Sequence, residues 1–320
     1  MPNDLKTLGP PEGLVAGSTL ATAASVAFTE GPAADADGSV YFSDIVNNRI
    51  MKRAADGTLS VWRADSGRTN GNMFDAHGRL VSCEGAEFGP GGRRRLVRTD
   101  MRTGAVEILT ERFEGKRYNS PNDLAIDRAG RIYFTDPRYK TEEQAELEMG
   151  CEAVYRLDPD GRVTRILSQP VIQKPNGITL SPDDRTLYLV DSSPVPGGRR
   201  RIWAFDLSPE GLPANPRVLW DFAPGRGADG IRMDVLGNVW AAAGIACPRH
   251  ANETAEVPPG VYVIAPQGKL LGRIPVHEDC LTNLAFGGPD LKTLYIVSGK
   301  SLFSIQVTVA GHLVYPQRAR

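Results

Sequence analysis

Six times along its 320 residues the chain repeats one unit, a polar turn followed by a short apolar strand. The copies are DGSVYFSD (37–44), HGRLVSCE (77–84), AGRIYFTD (129–136), DRTLYLVD (184–191), LGNVWAAA (236–243) and LKTLYIVS (291–298). Anchored on Tyr41, Val81, Tyr133, Tyr188, Trp240 and Tyr295, they are spaced 40, 52, 55, 52 and 55 residues apart. Periods of this length belong to arrays in which each unit buries its apolar face on the next. Each copy runs on into a further strand, such as AVYRLDPDG (153–161) or GVYVIAPQG (260–268), and several into a fourth, such as LSVWRAD or VEILTER. Four antiparallel strands repeated six times predict an all-β, six-bladed β-propeller, one domain over residues 1–320. The rival is an open solenoid, which needs polar capping repeats. Neither end reads as one, whereas STLATAASVAF (18–28) can add an outer strand to the last blade and close the ring. TEEQAELEM (141–149), of helix-forming composition, and ACPRHANETAEVPPG (246–260) interrupt the blades and are expected to shape one face.

The repeat also carries polar residues in register. Eleven or twelve residues before the six anchors stand Glu30, Asn70, Asn122, Asn176, Asp229 and Asn283, all bearing side-chain oxygens. The innermost strand of every propeller blade runs along the central channel, so these positions are expected to converge round one axis. Three residues past the anchors come Asp44, Glu84, Asp136, Asp191, Ala243 and Ser298. A hairpin returns them to the same end, as a second ring expected to orient the amides and any bound water. Two carboxylates among neutral amide oxygens suit one hard divalent cation, Ca²⁺ first, with Mg²⁺, Mn²⁺ or Zn²⁺ also admissible. The competing explanation is local: Asn, Asp and Gly favour turns, and TNG (69–71), PNG (175–177) and ADG (228–230) can each be read as a turn alone.

Composition excludes other classes. Lys plus Arg (37) balances Asp plus Glu (38), which leaves no electrostatic footprint for nucleic acid or an anionic membrane. The runs Arg93-Arg94-Arg95 and Arg199-Arg200-Arg201 are expected to flank strands on a solvated face. The N-terminal residues lack the pattern of a secretory signal and no apolar run is long enough to span a bilayer, which predicts a soluble, cytoplasmic protein. Cys83, Cys151, Cys247 and Cys280 show no CxxC spacing, and the four histidines form no paired ligand pattern.

FTEGP, then EGKRYNSPNDL with RIYFTDPRY, KPNGI with LYLVD, GADGI with VW, and TNLAFGGPDLKTLYIVS, in that order, resemble the senescence marker protein/gluconolactonase family, most of all its bacterial gluconolactonase-type members. The resemblance implies a divalent metal held by Glu30, Asn176 and Asp229, with Asn122 as ligand or substrate contact, and hydrolysis of sugar-acid lactones. It also implies a functional role for Asp136. Asp229 is the first choice of general base, Asp136 the alternative. A departure lies in CEGAEFGPGGRRR (83–95), where the family more often has a compact acid-histidine segment, so contacts at Glu84 are not carried over. Two other readings stay open: a metal-dependent phosphotriesterase or esterase on the same site, and a non-catalytic ligand-binding propeller. The expected partner is a small-molecule lactone or ester. Oligomeric state leaves no trace in the sequence.

Overall fold

A recurrent Asp-x-x-Gly turn builds the inner hairpin of most repeats. In Asp35–Gly38, Asp75–Gly78, Asp127–Gly130 and Asp234–Gly237 the glycine N–H donates to the aspartate carbonyl at 2.9 to 3.2 Å. Each glycine has φ between 72° and 86°, a left-handed conformation that costs other residues strain. In the fourth repeat, one residue longer, Asp184 takes the positive φ instead.

The computed structural model describes residues 8–315 apart from 10, 12, 17–19, 88–90, 140–146 and 249–252. It contains six four-stranded antiparallel sheets, plus a short hairpin of Arg112–Phe113 with Lys116–Arg117. The chain is a six-bladed β-propeller, as the repeat predicts. The innermost strands are Thr29–Ala34, Thr69–Phe74, Leu124–Ile126, Pro175–Leu180, Ala228–Met233 and Leu281–Gly287. Every anchor lies on the second strand of its blade, as in the pairs Ala33 with Tyr41, Ala125 with Tyr133 and Arg232 with Trp240. Five blades are continuous in sequence. The sixth takes its outermost strand, Ala21–Ser25, from the N-terminal side and pairs it with Ser301–Gln306, the ring closure expected from STLATAASVAF.

The core is divided among the blade junctions. Six apolar clusters lie between neighbouring sheets, for example Val190, Ile202, Ile231 and Tyr262 between blades 4 and 5, and Trp240, Val261, Leu284 and Phe303 between blades 5 and 6. Burial on both faces explains why the second strands read as nearly unbroken apolar runs. No helix among the described residues is long and apolar enough to cross a membrane. The helix-forming stretch at 141–149 falls largely outside the described residues.

Candidate metal and active site

The inner strands carry a shared irregularity where they pass the channel. In blades 1, 2, 4, 5 and 6 the pairing register slips at or just after Glu30, Thr69, Pro175, Ala228 and Leu281. In blade 3 Asn122 stands before its strand and is tied to the hairpin by its N–H, which donates to Thr135 O at 2.9 Å. A slip of this kind frees a side chain from strict alternation and lets it be aimed.

The next residue explains the spacing between blades. Gly31, Gly71, Gly177 and Gly230 follow four of the six channel residues. A Cβ on Gly31 would lie 2.2 Å from Asn70 O, on Gly71 2.6 Å from Asn122 O, on Gly177 2.3 Å from Asp229 O, and on Gly230 2.2 Å from Asn283 Cγ. Of the four, only Gly31 has a positive φ. Thus TNG, PNG and ADG are not turns: their glycines let the channel residue of one blade pack against that of the next.

Glu30, Asn70, Asn122, Asn176 and Asp229 all line one cavity of about 420 Å³. The sixth position, Asn283, lies beneath it: Nδ2 donates to Asp123 Oδ2 at 3.2 Å and to Glu30 Oε2 at 3.5 Å. Asp123 itself is gripped by both ends of the buried Arg232 guanidinium, at 3.0 and 3.2 Å. This bidentate pair neutralises a charge deep in the channel. Burial first, and then the Asp229 charge, push the Glu30 carboxyl well above the usual carboxylate range. Arg226 donates to Asp229 Oδ2 at 3.1 Å.

The donor set fits a hard cation. Asn70 Oδ1 is buried and has no hydrogen-bond partner among the described residues. Asn176 donates through Nδ2 to Tyr139 Oη at 2.6 Å, which turns its carbonyl oxygen the other way. Two carboxylates and these amide oxygens are the ligands that Ca²⁺ and its class take, and a cation would relieve the acids' mutual repulsion. Among the described residues no three His, Cys, Asp or Glu side chains gather to hold a metal, so an ion here would depend on the amides.

Asp136 is not brought into this cavity. It is wholly buried, and both its oxygens accept backbone N–H groups, from Ser120 at 2.7 Å and Asn119 at 2.8 Å. Burial raises its pKa to about 7 despite these bonds, with Glu152 adding to the rise and Arg94 opposing it. Asp44 and Asp191 do the same for Phe28 N and Lys174 N. In each case the N–H lies two residues ahead of a channel residue: Phe28 before Glu30, Ser120 before Asn122, Lys174 before Asn176. The acids Asp44, Asp136 and Asp191 therefore fix the incoming backbone, where the sequence led one to expect a ring that orients the amides and any bound water. Glu84 is likewise held away from the cavity, by Arg95 Nε at 2.6 Å and by Arg63.

Sequence reasoning missed Tyr139, Glu87, Arg200, Arg226 and Glu253, which complete the cavity wall. Arg226 stands three residues before Asp229, and Glu87 and Tyr139 stand three after the second-ring acids Glu84 and Asp136, whereas Arg200 and Glu253 have no such neighbour in sequence.

The profile of the SMP-30/gluconolactonase/LRE-like region matches residues 28–300. The chain belongs to this family. Within it, the chain is 30% identical over 309 residues to a gluconolactonase of Zymomonas mobilis, covering 90% of this chain and 81% of that one. A solved gluconolactonase structure from Xanthomonas campestris superposes with a TM-score of 0.78 at 31% identity, over 94% of each chain. A calcium-binding protein, regucalcin, from Agrobacterium tumefaciens shares the fold at 21% identity and a TM-score of 0.71, over 96% of this chain and 97% of that one. The family's region begins two residues before Glu30 and ends two after Ser298, so it spans all six channel positions.

Proposed function

We propose that this protein is a metal-dependent lactonase, opening sugar-acid lactones of the gluconolactone type at a divalent cation held by Glu30, Asn176 and Asp229, with Asn122 as a further ligand or substrate contact. One observation carries the reading: five positions dispersed over 200 residues line one cavity and bring two carboxylates together with amides, the buried Asn70 oxygen lacking any hydrogen-bond partner among the described residues. The relatives named gluconolactonase supply the reaction class. Ca²⁺ is the first candidate ion.

When bound, such a cation supplies Lewis-acid polarisation of an ester carbonyl. Asp229 faces the same cavity and accepts the proton of the attacking water, whose oxygen forms the new bond to the carbonyl carbon. Arg226, on Asp229 Oδ2, holds that carboxylate in place. The ring C–O bond then breaks, and the proton passes to the departing alkoxide to give the hydroxy acid. Asn122 orients the lactone, and Tyr139 fixes the rotamer of Asn176. Asp136 supports this geometry at one remove by holding the loop before Asn122.

Hydrolysis of glucono-1,5-lactone by purified protein tests the reading, with and without chelator, beside a phosphotriester such as paraoxon. Lactone turnover is expected, abolished by chelator and restored by Ca²⁺. Asp229→Ala is expected to lower kcat by at least about 100-fold, the scale of a lost general base. Wild-type rates in a folded Asp229→Ala protein would refute the assignment, and turnover of the phosphotriester alone would move the activity to the ester alternative.

A further inference from the structure

The sequence reading places Arg199-Arg200-Arg201 on a solvated face, and the structure overturns it for the middle residue. Strand alternation sends neighbours to opposite sides. Arg199 Nη1 lies 3.4 Å from Asp191 Oδ2, and Arg201 Nε lies 2.7 Å from Asp221 Oδ2. Arg200 turns the other way, is 6% exposed and lines the candidate active-site cavity. The earlier run behaves alike: Arg93 pairs with Asp65 and Arg95 with Glu84, while Arg94 is buried and its charge acts on Asp136.

Arg200 differs from the other cavity cation. Arg226 is committed to Asp229 and to the carbonyl oxygen of Leu281, at 3.1 Å each. Arg200 makes one long hydrogen bond, 3.3 Å to the carbonyl of Arg199, and among the described residues no carboxylate comes within 4.0 Å of it. A guanidinium stays charged at any ordinary pH, and holding it buried without an anion costs free energy. It is also rigidly placed. It opens the strand Arg200–Leu207, pairs with Ser192, and packs so closely on the segment leading to Asp229 that a Cβ on Gly227 would lie 3.3 Å from its Cα.

We propose that Arg200 is a specificity-determining residue that binds an anionic substituent of the substrate, so that the preferred lactones carry a carboxylate, sulfonate or phosphate group away from the scissile ester. The shared chemistry is a planar fork of N–H donors meeting two or more anionic oxygens. Ser192 and Tyr139, on the same cavity wall, add hydroxyl groups beside it. Burial, and then the like charge of Arg226, press the Arg200 pKa down against the pull of Glu253, a disfavoured charge that an incoming anion would relieve. Among the described residues the four cavity carboxylates, Glu30, Glu87, Asp229 and Glu253, do not repel such a substrate overall once a dication is bound, because with two arginines the charges balance.

This inference rests on the lactonase reading, and its test separates the two. Three Ca²⁺-loaded proteins, wild type, Arg200→Gln and Arg200→Lys, are assayed on a pair of hexonolactones that differ only in ending in hydroxymethyl or in carboxylate, with a 6-phospho lactone as a third arm. The wild type is expected to favour one or both anionic lactones by at least about tenfold in kcat/KM, the scale of a charge-assisted hydrogen bond. In Arg200→Gln that ratio is expected to fall towards one, and in Arg200→Lys to lie between. A wild-type ratio near one, or a ratio that Arg200→Gln leaves unchanged, overturns the assignment while lactonase activity stands. If no lactone is turned over, the lactonase reading fails by itself. Calorimetry with the open-chain dicarboxylate glucarate against gluconate then decides: a preference for glucarate lost in Arg200→Gln upholds the anion site, and equal behaviour of the two proteins refutes it. Matching thermal unfolding curves show that the variants are folded.

Discussion

At the scale of single residues, the division of labour among acids follows from what each carboxylate touches. Asp229 opens to the cavity beside Glu30, whereas Asp136, three residues beyond an anchor and equally conspicuous in the sequence, spends both oxygens on backbone N–H groups. Its pKa of about 7 has a consequence for stability. An unfolded aspartate releases its proton near pH 4, while folded Asp136 keeps it to about 7, so between these values the folded state binds more protons. Stability is thus present below pH 4 and lost as the pH rises through 7, by at most about 1.4 kcal/mol per pH unit. Asp136→Asn removes this ionisation. Chemical denaturation at pH 5 and pH 8 is expected to show the variant gaining on the wild type at the higher pH; equal losses in the two proteins would contradict a raised Asp136 pKa. The role of Asp136 could not be read from sequence because a strand-end acid looks the same whether it faces a ligand or a loop. Arg200 was illegible for a related reason: in a run of three arginines, only the strand's starting residue decides which one points inward.

At the scale of elements, the register of Glu30, Asn70, Asn122, Asn176, Asp229 and Asn283 was legible because each blade repeats the same hairpin, and one period fixes which residue reaches the channel. The meaning of the following glycines was not. In one dimension an Asn-Gly pair signals a turn, and only packed blades reveal that Gly177 abuts the Asp229 carbonyl at a distance no side chain tolerates. The structure therefore couples neighbouring channel residues through their backbones. Gly177→Ala is expected to cost about 1–3 kcal/mol, as overpacking does, and to weaken cation binding by displacing Asp229 relative to Asn176. Gly104→Ala, at a surface turn with nothing within 4 Å of the added carbon, is the control: it should lose only local stability and keep its affinity. Denaturant unfolding and calorimetric cation titration of both variants check the contrast. Equal cation affinities would show that the blades adjust independently.

For the whole molecule, the ring brings together what the chain keeps apart. Closure by Ala21–Ser25 on the blade that carries Asn283 completes the ring, in which Glu30, from the first blade, lines one cavity with channel residues from the fourth and fifth. The fold was legible in sequence down to this closing strand, because repeat number and strand order are periodic quantities. The wall of the cavity was not: Glu253 comes from the insertion at 246–260, and Glu87 and Tyr139, each three residues past the second ring, share a position whose residue type changes from blade to blade. Beneath the cavity the Arg232–Asp123 pair neutralises a deep acid, while burial and then the Asp229 charge hold the Glu30 carboxyl well above its usual range, a penalty that a bound cation would relieve. One hard cation is therefore expected to complete the channel. Calorimetric titration of chelator-treated protein with Ca²⁺ tests it most directly, comparing wild type with Glu30→Gln. The expected result is one ion per chain in the wild type and an affinity at least about 100-fold weaker in the variant, the scale of a lost charged ligand. Identical isotherms for the two proteins, or no saturable binding of Ca²⁺, Mg²⁺, Mn²⁺ or Zn²⁺ by the wild type, would contradict it.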